Sequence, residues 1–278
     1  MRTSGKSKAV RPAHQNPLSY AITTRDQTTL QMVEEAVAHK QVMLAYQPVV
    51  QATNQGNVAF YEGLIRVLDE TGRIIPAKDF IEAIETTETG RVIDCLALEQ
   101  GLHVLKNTPS IRLAINMSAR SIGYPRWNKV LKRGLAQDST VAERLVLEIT
   151  ESSAMLVPEL VVNFMNDLQK RGITFALDDF GSGFTSFRYL RDFYFDILKI
   201  DGQFIRGVCQ NPDNQVLVRA LASIANQFDM FTVAESVERS DDAQWLESIG
   251  IDCLQGYYFG APTVKKPWII LDDQVKSA

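Results

Sequence analysis

The sequence predicts an α/β barrel, a closed and mainly parallel sheet wrapped by helices, on three observations. Short, near-continuous apolar strands alternate with helical segments, the pattern of a parallel sheet covered on its outer face. Eight such strands fit within 278 residues, a length that α/β barrels commonly fill as one domain. Seven of them end in a metal-competent or charge-matching residue: Glu62, Asn116, Glu148, the pair Asp178 and Asp179, Lys199, Glu235 and Gln255. Barrel enzymes carry their chemistry at the carboxyl ends of the strands. The alternative, an open doubly wound sheet, places its site at one switch point and does not gather residues from seven strands.

The elements follow in order. Residues 1–27 include basic residues but no apolar run, and are read as a disordered or linker lead-in; the barrel domain is expected over 28–278. Leu30, Val33 and Val37 give 28–39 the spacing of an amphipathic helix. Strands are predicted at 42–50 and 59–67, and the turn-rich stretch 53–57 between them suits a hairpin, hence an antiparallel pair. The stretch 76–106 has helical period, with Pro76 in its first turn and a break at 86–90. Further strands are expected near 112–118, 145–151, 174–180, 197–201, 231–237 and 253–259. Helices are expected between them near 125–137, 158–171, 185–192, 213–228 and 240–249.

Charge and composition narrow the function. A formal charge of −4 offers no basic face for duplex nucleic acid, so an anionic ligand would be held by divalent cations among the carboxylates. Cys95, Cys209 and Cys253 are odd in number and far apart, which indicates neither a disulfide framework nor a thiolate zinc site. His14, His39 and His103 fall at no strand end. The donor set is therefore oxygen-rich, which suits magnesium or manganese better than zinc. No window approaches a membrane span and no secretory signal opens the chain, so a cytoplasmic location is expected.

An acid inside an apolar run is costly unless it is paired or holds a metal. Adjacent strand residues face opposite ways, so Asp178 and Asp179 share a site only where the strand ends, and Gly181-Ser182-Gly183 supplies the turn. Read alone, the pair is as well explained by a solvated cap for the next helix. In LVLEITE, Glu148 shares a face with Val146 and Thr150, while Glu151 lies beyond the strand and can brace the loop near Gly181. Lys199 and Asp201 share a face and, as an isolated pair, read as an internal salt bridge. Arg66, four residues after Glu62, can hold a phosphate bidentately or lie solvated at the strand end. No one of these residues decides the matter; their joint placement does.

Taken together, Tyr46-Gln47-Pro48, Glu62-Gly63-Leu64 with Arg66, Asn116 with Ser118, Glu148-Ile149-Thr150-Glu151, Asp178-Asp179-Phe180-Gly181, Leu198-Lys199-Ile200-Asp201, Glu235-Ser236-Val237-Glu238 and Gln255-Gly256-Tyr257 resemble the EAL-domain cyclic di-GMP phosphodiesterases over residues 28–262. The resemblance implies a modified TIM-type barrel with an antiparallel first strand, and hydrolysis of cyclic di-GMP to the linear dinucleotide with two magnesium or manganese ions. By motif position, Glu62, Asn116, Glu148 and Asp178 hold one metal, and Asp178, Asp179 and Glu235 the second. Lys199 holds the attacking water, and Glu235 also helps handle its proton. Gln47, Arg66, Asp201 and Gln255 fall on the substrate side, and Glu151 steadies the loop after the paired aspartates.

Two departures stand out: Gly63 where the family usually has alanine, expected to loosen the backbone, and Gly-Ser-Gly-Phe where Gly-Thr-Gly-Tyr is common. Every metal-ligand position is kept, which counts against the two other readings, a non-catalytic cyclic di-GMP receptor and a protein-interaction scaffold. Family members often dimerise near the loop after the aspartates. Phe184, Phe187, Phe193 and Tyr194 can supply apolar surface for that, or simply a buried helix face.

Overall fold

The chain enters its barrel upside down. In the structure, a computed structural model that describes residues 29–182 and 190–269, β1 (Val42–Gln51) and β2 (Asn54–Leu68) form an antiparallel hairpin in which Gln47 faces Glu62. A short β3 (Ile74–Pro76) pairs antiparallel with the far end of β2. From there the order is regular: β4 (Leu113–Asn116), β5 (Leu145–Thr150), β6 (Thr174–Phe180), β7 (Ile197–Ile200), β8 (Phe231–Ala234) and β9 (Cys253–Gln255). Each pairs in parallel with the one before it, β4 with β2, and β9 closes the ring by pairing antiparallel with β1. The ring thus has eight strands, with β3 outside it, and β1 alone runs against the others.

Helices Glu88–Asn107, Pro125–Gln137, Pro158–Gln169, Pro212–Gln227 and Ser240–Ser248 cover the outside. Three of them begin on proline, which fits a first turn whose N–H has no partner anyway. The helix over 29–38 buries Val33, Ala36 and Val37, the face its spacing defines. Two apolar clusters result. A large one lies between strands and helices, and a small one of Val49, Phe60, Ala114, Val146, Ala176, Ile197 and Val233 plugs the barrel's interior.

Several expected boundaries move for local reasons. Pro76 closes β3 in extended backbone and precedes a short 3-10 turn, Ala77–Asp79, instead of starting a helix. Gly90 does not break the helical stretch: it lies inside Glu88–Asn107, where a Cβ would sit 2.5 Å from the Ile84 carbonyl. The break falls earlier, at 85–87. β9 stops at Gln255 because Gly256 runs flush against the Val237 backbone, with no room for a Cβ. Most of the helix expected at 185–192 lies outside the described residues, as do Phe184 and Phe187; Phe193 is core and Tyr194 is exposed.

Gly63 is buried within β2. A Cβ there would lie 2.8 Å from Ile115 Cδ1, so the space of the missing methyl is filled from β4.

Candidate active site

A single geometric rule builds the site. Phe60, Ala114, Val146, Ala176, Ile197 and Val233 in the interior plug are each followed two positions later by Glu62, Asn116, Glu148, Asp178, Lys199 and Glu235. Cys253, packed against the plug, is followed in the same way by Gln255. On the inverted β1 the relation reverses, and Gln47 precedes Val49. Side chains two apart share a face, so eight strands raise eight polar residues into one layer above an apolar floor.

Lys199, fully buried, lies at the centre of this layer. Its Nζ is 2.8 Å from Glu235 Oε1, 2.9 Å from Asp178 Oδ1, 3.1 Å from Glu148 Oε2 and 3.7 Å from Glu62 Oε2. Asn116 Nδ2 donates to Glu62 Oε1 at 2.8 Å, and Gln255 Nε2 to Glu62 Oε2 at 2.6 Å. Gln47 joins through its Oε1, which accepts from Gln255 Nε2 at 3.3 Å.

Asp179 reaches the layer by another route. Its φ of 55° and the register irregularity between Leu177 and Phe180 turn the strand end, so that neighbours in sequence face one site. Asp178, Asp179 and Glu235 then form one potential cation set, and Glu62, Glu148 and Asp178 another. Ser236, directly after Glu235, adopts φ 55° likewise, and its Oγ accepts from Arg206 at 3.0 Å.

Four carboxylates thus surround one ammonium, with Asp179 close by as a fifth, and the titration directions record the imbalance. Burial pushes Glu148 well above the carboxylate range, since Lys199 cannot offset it together with Glu62, Asp178 and Glu235. Glu235 is pushed to about 8, first by burial and then by Asp178 and Glu62 against the pull of Lys199. Burial, Asp178 and Asp201 raise Asp179 to about 6. For Glu62 burial acts upward, but Lys199 and the Gln255 and Asn116 amides outweigh it and hold the carboxyl below its usual value. Burial works against the Lys199 charge, and the four acids around it more than reverse that, holding its pKa well up.

Divalent cations fit this chemistry. Glu148 Oε1 is buried with no hydrogen-bond donor among the described residues, the donors are all oxygens or amides, and the net charge of the layer is negative.

The remaining expected residues divide. Glu151 Oε2 accepts from Gly181 N at 3.0 Å, at the turn after the aspartates. Asp201 caps the short helix Gly202–Ile205, accepting from Gln203 N at 2.7 Å, and makes no ion pair with Lys199 among the described residues. Arg66 lines a cavity of about 540 Å3 with Gln47, Arg206 and Tyr257; a second, of about 580 Å3, is bounded by Glu62, Asn116, Asp178 and Asp179. Lys78 borders both.

Sequence reasoning missed Asp94. Buried in helix Glu88–Asn107, it accepts from Ser121 Oγ at 2.6 Å and Ser118 N at 3.0 Å, and so fixes the loop that follows Asn116. The signal was an aspartate flanked by Ile93, Cys95 and Leu96.

Comparison with known proteins agrees with this geometry. The EAL domain family model matches residues 30–262. Cyclic di-GMP phosphodiesterase PdeF of Escherichia coli is 30% identical over 234 residues, covering 83% of this chain and 31% of that protein. Cyclic di-GMP phosphodiesterase PdeB of Shewanella oneidensis is 29% identical over 234 residues, 83% of this chain and 27% of that one. The chain therefore spans about a third or less of these relatives' length. A solved structure of the PaMucR phosphodiesterase in complex with c-di-GMP superposes with a TM-score of 0.74 at 28% identity, covering 85% of this chain and 97% of that one.

Proposed function

The chain belongs to the EAL domain family, and from that premise we propose that it hydrolyses the bacterial second messenger cyclic di-GMP to linear pGpG. The observation that carries the proposal is the convergence of Glu62, Glu148, Asp178 and Glu235 on Lys199 at the mouth of the barrel, with Asp179 grouped beside Asp178 and Glu235. Neither a receptor nor a scaffold needs that costly burial of like charge.

Glu62, Asn116, Glu148 and Asp178 would hold one Mg2+ or Mn2+, and Asp178, Asp179 and Glu235 a second. Bound there, the cations supply the charge that acidifies a water and neutralises the phosphoryl oxygens. A water oxygen bonds to one phosphorus in line, the P–O3′ bond breaks, and the proton lost by the water is balanced by one gained at the ribose oxygen. The Lys199 ammonium orients that water and prevents the acids from driving one another apart. Glu235, beside Lys199 Nζ at 2.8 Å, also helps handle the proton. Gln47, Arg66, Asp201 and Gln255 secure the substrate, and Arg66 offers a two-pronged donor to a phosphate. Glu151, through Gly181, keeps the turn after Asp179 in shape.

The experiment is direct: incubate the purified chain with cyclic di-GMP and Mg2+ or Mn2+, then separate the nucleotides by chromatography. Linear pGpG supports the enzyme; bound but intact cyclic di-GMP would make it a receptor, and no binding a scaffold. A cytoplasmic location and a homodimer accompany this reading, and sedimentation of the purified chain tests the latter. Among the described residues no helix is long and apolar enough to cross a membrane.

A further inference from the structure

The family match ends at residue 262, yet the chain continues into a segment that grips the site from outside the barrel. Thr263 exchanges both backbone hydrogen bonds with Tyr46, at 2.8 and 3.0 Å. Trp268, only 5% exposed, packs edge-on against Tyr46 and Tyr61 with ring centres 4.8 and 5.1 Å away. The segment is thereby fastened to the residue beside Gln47. Gly260 lies flush against β1, where a Cβ would be 3.1 Å from Pro48 Cγ, and its carbonyl accepts from Gln47 Nε2 at 3.0 Å.

The consequence runs inward. With its Nε2 held by Gly260, Gln47 must turn its Oε1 to Gln255 Nε2, which donates at the same time to Glu62 Oε2. A primary amide has two hydrogens, and both on Gln255 are then committed. Its Oε1 is buried, so the amide cannot turn to offer these hydrogens elsewhere without burying an NH2 in its place. Were Gln47 free to flip, two NH2 groups would face each other and the relay to Glu62 would break.

We propose that Gly260–Trp268 is a positioning strap, anchored by Trp268, that fixes the Gln47–Gln255 amide pair and with it the Gln47 edge of the cavity lined by Arg66, where the substrate binds. The identity of that substrate rests on the cyclic di-GMP reading; the strap's hold on β1 does not.

The test compares Trp268→Ala, Trp268→Phe and Gly260→Ala in the full chain, with Mg2+ present. Trp268→Ala and Gly260→Ala should raise KM for cyclic di-GMP about five- to tenfold, the scale of one hydrogen bond, with kcat within about twofold. Trp268→Phe keeps an edge-on ring and should stay within about threefold of the unmodified KM. Hydrogen exchange at the Tyr46 amide should accelerate in Trp268→Ala, while the Lys199 amide is unmoved. A fall in kcat at constant KM, or unaltered Tyr46 exchange, overturns the strap. Failure of the unmodified chain to cleave cyclic di-GMP would overturn the function instead, and Tyr46 exchange would still decide the strap.

Discussion

Lys199 Nζ stands 2.8 Å from Glu235 Oε1, and still that carboxyl titrates near 8. An ammonium in contact ordinarily lowers an acid's pKa. Here it is divided among four carboxylates in a buried site, so burial prevails. The apo site is held together by one cation that is too few.

Lys199→Met should therefore be felt most when divalent cations are absent. Removing one partner from a buried charge cluster costs about 3–5 kcal/mol. Thermal unfolding in EDTA should show a large fall in Tm, largely reversed by millimolar Mg2+ or Mn2+, while turnover stays lost. Equal Tm values for variant and parent in EDTA would remove the cohesive role given to Lys199.

Glu62→Ala and Asp178→Ala should reduce pGpG formation to background. Glu62→Ala deletes the acceptor of both amides and Asp178→Ala the carboxylate common to both cation sets, and each leaves the fold's apolar floor intact. Chromatographic assay decides this, and full activity in either variant would overturn the assignment.

The pH dependence has a definite sign. Folding raises Glu235 from 4.5 to about 8 and Asp179 from 3.8 to about 6, so the folded state binds these protons more tightly than the unfolded chain. Their contribution to stability is complete below the unfolded values and is lost as pH climbs through the folded ones. Cation-free Tm should thus decline between about pH 4.5 and 8. Cation binding should release protons and tighten over the same interval; calorimetry in two buffers of different ionisation heat measures that release. A flat Tm profile in EDTA would contradict the burial argument.

Gly63→Ala, the change toward the usual family residue, should destabilise this chain. The new methyl meets Ile115 Cδ1 at 2.8 Å in a packed layer, an overpacking cost of about 1–3 kcal/mol. Ile115→Val in the same chain should recover most of it. Denaturant unfolding of the two single variants and the double variant gives the coupling, and additive effects would disprove the contact.

Much of the site was legible because its rule is short-range. A period of two, applied to apolar runs that each end in one polar side chain, suffices to find Glu62, Asn116, Glu148, Asp178, Lys199, Glu235 and Gln255. The reversed first strand was legible from the short polar stretch 53–57, although the turn itself is Ala52 and Thr53 and Asn54–Asn57 already belong to β2. What stayed hidden depends on contacts between distant segments. Gly90 reads as a helix breaker until the Ile84 carbonyl is seen against it. Asp94 reads as a stray polar residue until Ser118 and Ser121 are placed beside it. Three-residue β3 is too short to show alternation, and Trp268 looks like one more aromatic until Tyr46 and Tyr61 face it.

The polarity of one strand also settles what forms the wall of the opening. Val42 pairs with Val67 and Gln47 with Glu62, so β1 begins at the rim and descends past the acids. In a ring whose strands all ran one way, the first residues of this strand would lie beneath the apolar floor. Here Val42–Tyr46 stand above the polar layer, as part of the parapet that a ligand must cross.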